Sequence, residues 1–183
     1  MRCFIAVELS DDVRDYLYEL VSGFQTKLRK ENVKINWIAK RNLHLTMKFL
    51  GEVNEVTLGV VKERLRKIEF SAFELELDKL GFFPNEDYLR VIYVGLEPEK
   101  KIIELQQRID MELLDLFGKE QDFHGHVTLG RVKLAKDKKR LKELAGEKIE
   151  NKKFIVEEFK LVKSELAKEG ARYFTLGSFK GNE

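Results

Sequence analysis

A weak internal repeat constrains the fold of this chain more than any other feature. Residues 44–46 read His-Leu-Thr, and residues 126–128, 82 positions later, read His-Val-Thr. Arg90 and Arg172 are separated by the same 82 positions. In each half, the strand that contains the motif is predicted to be followed by a helix, a strand, a turn and a second strand. A duplicated unit predicts two lobes related by a pseudo-twofold axis. Such an axis would bring equivalent residues together across a cleft.

The hydrophobic pattern predicts an α+β fold, with mostly antiparallel sheets flanked by helices, in a single domain spanning residues 1–183. Alternating or continuous apolar runs predict strands at residues 2–8, 34–38, 43–50, 72–80, 89–95, 126–132, 153–163 and 171–180. Helical spacing predicts helices that begin at Ser10, Asn54 and Pro98, and a lysine-rich helix at residues 136–145. A turn is predicted at residues 84–87.

The charge balance argues against recognition of nucleic acid by net charge alone, because 34 basic residues face 32 acidic ones. Any contact with RNA must therefore come from a local patch. Charged residues make up 36% of the chain, a fraction typical of thermophile surfaces. Cys3 is the only cysteine, and no segment has the length of a signal peptide or membrane span. We expect a cytoplasmic monomer with no membrane contact and no cofactor.

Each His-x-Thr segment places an imidazole beside a hydroxyl, because alternate side chains of a strand share a face. His44 and Thr46 therefore point one way, as do His126 and Thr128. Two facing pairs suit phosphodiester cleavage, since one neutral imidazole can accept a proton from water and a second, protonated one can donate to the leaving oxygen. The two threonines can hydrogen-bond the non-bridging phosphate oxygens.

A nearby cation could offset the charge that develops on phosphorus. Simple alternation puts Lys48 on the face of His44, and Phe49 in the core behind it. The same rule puts Arg131 on the wrong face, although Gly130 could permit a bulge that turns it inward. Lys48 and Arg131 are both predicted phosphate ligands.

The segment His124-Gly125-His126 could also ligate zinc. However, no carboxylate stands at a recognisable ligand spacing, and Cys3 is remote in sequence. We therefore expect no metal site, and we interpret His124, which has Asn42 as its counterpart in the repeat, as a rim residue.

The two motifs and their flanks resemble the RNA 2′,3′-cyclic phosphodiesterases of the 2H phosphoesterase superfamily, also called the 2′-5′ RNA ligase or LigT-like family. The resemblance runs nearly end to end, through residues 2–7, Trp37, residues 42–53, residues 81–84, residues 90–91 and residues 126–131. Two His-x-Thr motifs in such flanks are a specific signal.

The resemblance implies a bilobal α+β fold with both histidines in a central cleft and no metal. It implies that His44 is the proton donor and His126 the proton acceptor, and that Thr46, Thr128 and Arg131 bind phosphate. The implied substrate is RNA with a 2′,3′-cyclic phosphate end, such as a tRNA fragment, and the product carries a 2′-phosphate. The family usually has proline before the second histidine, where this chain has Gly125. We expect this glycine to loosen the positioning of His126.

Two other functions are compatible with the sequence. A 2′-5′ RNA ligase would use the same groups, with a 5′-hydroxyl in place of water. A non-catalytic module that binds RNA ends would use aromatic stacking faces, for which Trp37, Phe83 and Tyr88 are the candidates.

Overall fold

The computed structural model describes residues 1–29, 32–85 and 87–182, and within them nine strands join into one sheet. The strands are β1 (Arg2–Glu8), β2 (Val33–Trp37), β3 (His44–Glu52), β4 (Phe73–Asn85), β5 (Tyr88–Glu97), β6 (His126–Ala135), β7 (Lys153–Val156), β8 (Glu158–Ala167) and β9 (Gly170–Lys180). The helices are α1 (Asp11–Leu28), α2 (Glu55–Leu65), α3 (Glu99–Leu113) and α4 (Lys138–Glu143), with short 3-10 turns at Lys40–Asn42 and Leu144–Gly146. The α+β prediction is confirmed.

Local sequence signals account for most of the element boundaries. Asn54 begins α2, where its side chain accepts a hydrogen bond from the Thr57 N–H at 2.8 Å. Pro98 precedes α3, a position where its missing N–H costs nothing. The predicted strand at 153–163 is divided between β7 and β8 around Glu157. The predicted turn at 84–87 includes Glu86, which lies outside the described residues.

The sheet is arranged symmetrically about its two motif strands. The order is β7-β4-β5-β6-β3-β1-β8-β9, and β2 adds to β6 beside this path. From the centre of the sheet to one edge, β3 is followed by β1 and β8. From the centre to the other edge, β6 is followed by β5 and β4. Within the described residues, β3 and β6 pair only at Leu45–Val127, so the cleft opens where the motif strands diverge.

The two hairpins that the repeat equates attach to the sheet differently. The β4–β5 hairpin joins the sheet on both sides, because β5 pairs with β6 and β4 pairs with β7. The β8–β9 hairpin joins it through β8, which pairs with β1. β9 is therefore an edge strand. Arg90 on β5 and Arg172 on β9, equivalent in sequence, consequently lie in different surroundings.

The two faces of the sheet have different roles. On one face the strands pack on the helices through a continuous apolar core that includes Ile5, Leu45, Ile102 and Val127, all essentially inaccessible to solvent. The opposite face carries a small cluster of Phe4, Ala6 and Val162, with Tyr173 packed against it. Within the described residues, no helix is long and apolar enough to span a membrane.

A β-bulge interrupts each motif strand just after its threonine. On β3, Ala6 of β1 pairs with Thr46 and Ile5 with Lys48, so that Met47 is the extra residue. On β6, Tyr93 of β5 pairs with Thr128 and Ile92 with Gly130, which leaves Leu129 as the extra residue. A bulge reverses the alternation of faces beyond it, and this reversal decides which cations reach the cleft.

Candidate active site

Both motif histidines line one cleft of about 490 Å³ on the sheet face that the helices leave uncovered. Thr46, Thr128 and Arg131 line it with them. The pair Leu45–Val127 lies at the centre of the arrangement. Because the strands are antiparallel, the residues on either side of this pair also lie opposite each other. His44 is therefore on the side of Thr128, and Thr46 on the side of His126.

A backbone carbonyl two residues earlier orients each imidazole. His44 Nδ1 lies 2.6 Å from the Asn42 carbonyl oxygen, and His126 Nδ1 lies 2.7 Å from that of His124. A carbonyl only accepts, so Nδ1 carries the proton and donates in both rings. Each Nε2 is therefore the atom that can exchange a proton within the cleft.

The two Nε2 atoms differ in their partners. His44 Nε2 lies 2.8 Å from the Thr46 hydroxyl oxygen, which can donate to it while the ring is neutral. In the described part of the chain, His126 Nε2 has no such partner. His126 therefore presents an open lone pair to the cleft, whereas His44 is held in place beside a hydroxyl.

Burial sets the protonation of both rings. Desolvation lowers the pKa of His44 below its ordinary 6.5, and the hydrogen bond to the Asn42 carbonyl opposes this only in part. Desolvation likewise lowers the pKa of His126, assisted by the nearby charges of His124 and Arg131 and opposed by the hydrogen bond to the His124 carbonyl. A bound phosphate would raise both pKa values, because an adjacent negative charge favours the protonated ring.

Lys48 is one of the residues that line the cleft, but its ammonium is directed away from the cleft and not into it as the sequence predicted. Its ammonium lies 2.6 Å from Asp110 Oδ1 on α3 and 2.7 Å from the Gly118 carbonyl oxygen, on the helix side of the sheet. The bulge at Met47 causes the error, because it turns Lys48 inward. Phe49, predicted to be a core residue, is turned outward instead and is 59% exposed.

Arg131 is turned onto the cleft face by the bulge at Leu129, as the prediction based on Gly130 allowed. Gly130 is needed here for space, since a Cβ on it would stand 2.8 Å from the Ile35 side chain and 2.9 Å from Trp37. Arg131 makes no ion pair or hydrogen bond with the residues that the structure describes. Its guanidinium is a cation that a substrate phosphate could bind.

Aromatic rings enclose both histidines, and of these rings the sequence analysis had singled out only Phe83. The ring centroids of Phe4 and Tyr173 lie 5.0 and 5.4 Å from that of His44. Those of Phe83 and Tyr93 lie 4.8 and 5.4 Å from that of His126. The signal available was strand alternation, which places Phe4 on the face opposite the core residues Cys3 and Ile5.

Only one of the three predicted stacking residues reaches the cleft. Phe83 lines it and stacks on Tyr93, with centroids 4.1 Å apart. Trp37 packs against Phe24 and beneath Gly130. Tyr88 is 64% exposed at a separate surface, near Lys138.

The rim residue His124 bonds through Nδ1 to Glu99 Oε1 at 3.0 Å. Among the described residues, no group of three or more histidine, cysteine, aspartate or glutamate side chains could hold a metal ion. Gly125 is packed closely, because a Cβ there would stand 2.8 Å from Ile102 Cγ2. The methyl of Ile102 therefore occupies the space that a side chain at position 125 would need.

Two pairs of imidazole and hydroxyl thus line the cleft, and comparison with known proteins assigns the chain to a phosphoesterase family. The family model "LigT like Phosphoesterase" matches residues 7–93 and again residues 94–173. The chain belongs to this family, and the two consecutive matches correspond to its repeat.

Individual relatives extend over the whole chain. The RNA 2′,3′-cyclic phosphodiesterase of Methanothermobacter thermautotrophicus is 35% identical, with 98% of each chain covered. The crystal structure of TT0787 of Thermus thermophilus superposes with a TM-score of 0.77 at 30% identity, covering all of both chains. Escherichia coli LigT complexed with 3′-AMP superposes with a TM-score of 0.73 at 25% identity, covering 100% of this chain and 98% of that one.

Proposed function

We propose that the protein is an RNA 2′,3′-cyclic phosphodiesterase that opens the cyclic phosphate to a 2′-phosphate without a metal. The observation that carries this proposal is the locked orientation of the two imidazoles, each fixed at Nδ1 by a carbonyl and directed at Nε2 into one cleft. The name of the Methanothermobacter relative and the 3′-AMP bound by E. coli LigT support a ribonucleotide substrate.

In this mechanism His126 is the base and His44 the acid. The open Nε2 of neutral His126 accepts a proton from water as the water oxygen attacks phosphorus. The bond from phosphorus to the 3′ oxygen breaks, and protonated His44 donates its Nε2 proton to that oxygen. The negative charge of the bound phosphate raises the pKa of His44, so this desolvated ring becomes protonated when substrate binds.

The remaining cleft residues stabilise the charge on phosphorus. Thr46 and Thr128 donate hydroxyl hydrogen bonds to the non-bridging oxygens, and Arg131 supplies the positive charge. Lys48 has no direct part in this proposal, because Asp110 and Gly118 already bind its ammonium. We also propose that residues 1–183 act as one domain, since the motif strands of both lobes belong to one sheet. We propose in addition that the protein is a cytoplasmic monomer, and the single cysteine is compatible with a reducing compartment.

The experiment is incubation with an oligonucleotide that ends in a 2′,3′-cyclic phosphate, followed by identification of the ribose oxygen that keeps the phosphate. A 2′-phosphate product is expected, at the same rate with and without EDTA. A 3′-phosphate product would reverse the direction of ring opening. Loss of activity on chelation would contradict the metal-free mechanism.

A further inference from the structure

A second cavity, of about 480 Å³, adjoins the cleft on the side of His44. It shares Phe4, Asn42, His44 and Tyr173 with the cleft. At the boundary, the Asn42 side-chain amide donates to the Ala171 carbonyl at 2.8 Å, which ties the β9 end of the β8–β9 hairpin to the segment before His44. We call this cavity the arginine pocket, after the lining residues Arg14, Arg41 and Arg172.

The arginine pocket carries three guanidinium groups, which the described acidic residues neutralise only in part. Arg41 has no hydrogen-bond or ion-pair partner in the described ranges. Arg14 pairs with Asp11 at 3.7 Å and donates to the Leu9 carbonyl at 3.2 Å, while its buried Nε has no partner. Among the described residues, Arg172 pairs only with Glu169, at 3.6 Å and in solvent. The other lining carboxylate, Glu8, is bound by Lys160 at 2.7 Å.

The pocket also offers a hydrophobic ring surface. Phe174, which lines it, is 46% exposed. Cations beside an exposed aromatic ring are the combination that binds the backbone and bases of single-stranded nucleic acid. Arg14 acts electrostatically on His44, so this surface begins next to the proposed proton donor.

The chemistry of ring opening determines on which side of the site the RNA lies. Water attacks phosphorus opposite the leaving 3′ oxygen, and that oxygen belongs to the ribose of the RNA. The ribose therefore lies towards the proton donor, His44, and water lies towards His126. This places the ribose beside the arginine pocket, which shares His44 with the cleft.

On the basis of the proposed function, we propose that the arginine pocket binds the nucleotide preceding the cyclic end of single-stranded RNA. Arg41 and Arg172 contact the internucleotide phosphate, and Phe174 contacts the base. The enzyme consequently distinguishes an oligonucleotide end from a cyclic mononucleotide, although both present the same reacting phosphate.

The test compares kcat/KM for a 2′,3′-cyclic mononucleotide and for a trinucleotide with the same cyclic end. Wild-type protein should prefer the trinucleotide. In the double variant Arg41→Ala with Arg172→Ala, the ratio of trinucleotide to mononucleotide kcat/KM should fall on the order of tenfold, through KM, because two solvent-exposed charged contacts are lost. The slope of log KM against log salt should also fall by about 0.7 for each phosphate contact removed.

Arg90→Ala is the matched control, because Arg90 is the repeat counterpart of Arg172 on the other lobe and should leave the ratio unchanged. An unchanged ratio in the double variant would overturn the arginine pocket while leaving the proposed function intact. A fall confined to Arg90→Ala would place the RNA over the other lobe. Failure of wild-type protein to open either substrate would instead refute the proposed function on which the pocket depends.

Discussion

Replacement of Lys48 by methionine should destabilise the protein by about 3–5 kcal/mol, because it leaves the Asp110 carboxylate buried without its cation. The magnitude follows from the geometry of the pair, whose charged atoms lie 2.6 Å apart and whose side chains are only 2% and 3% exposed. In a chain of this size each kcal/mol moves Tm by about 2–4 °C, so Tm should fall by about 6–20 °C.

The control is the double variant Lys48→Met with Asp110→Asn. Asparagine removes the negative charge but keeps an oxygen for the Glu120 N–H, which Asp110 Oδ2 accepts at 2.9 Å. Its stability should return to within about 1–2 kcal/mol of wild type, which a double-mutant cycle by thermal or urea unfolding would measure.

Phosphate affinity separates this structural role from a role in substrate binding. The double variant should bind inorganic phosphate as wild-type protein does. If the single variant Lys48→Met had the same Tm as wild-type protein but had lost its affinity for phosphate, the buried-pair interpretation would be refuted. Lys48 would then be a phosphate ligand.

Four further predictions concern the two histidines, Arg131 and the approach to the second motif. His44→Ala and His126→Ala should each lower kcat on a cyclic-phosphate substrate by on the order of 10²–10⁴, and a dispensable histidine would contradict the acid–base pair. Because burial lowers the pKa of both rings in the free protein, kcat/KM should peak below pH 6.5. In the complex, bound phosphate raises the pKa of His44, so the alkaline limb of the kcat profile should lie at higher pH than that of kcat/KM. Removing the Arg131 charge with Arg131→Met should raise the pKa of His126 and shift the acidic limb of kcat/KM upward, so superimposable profiles would argue against this electrostatic account. Gly125→Ala should lower the free energy of unfolding, measured with denaturant, by about 1–3 kcal/mol because the new methyl clashes with Ile102. The double variant with Ile102→Ala should lose less stability than the sum of the two single variants. Strict additivity would show that the two positions do not share the space.

The contrast between Lys48 and Arg131 shows where sequence reasoning reached its limit. Both residues follow a motif threonine closely, and simple alternation assigned Lys48 to the cleft and Arg131 to the opposite face. The bulges at Met47 and Leu129 reverse both assignments. The glycine at position 130 was a usable sign on the second strand, but nothing comparable marks the bulge at Met47, because a bulge arises from pairing with the neighbouring strand.

Sequence alone determined the α+β class, the duplicated unit and the two imidazole–hydroxyl pairs, because hydrophobic period and strand alternation are local properties that act over a few residues. Tertiary structure decided which cations and rings surround the pairs. Strand register turned Lys48 inward to Asp110 and Arg131 outward to the cleft, and the sheet order brought Tyr173 from β9 beside His44. These outcomes depend on contacts between residues far apart in the chain, which no local pattern specifies.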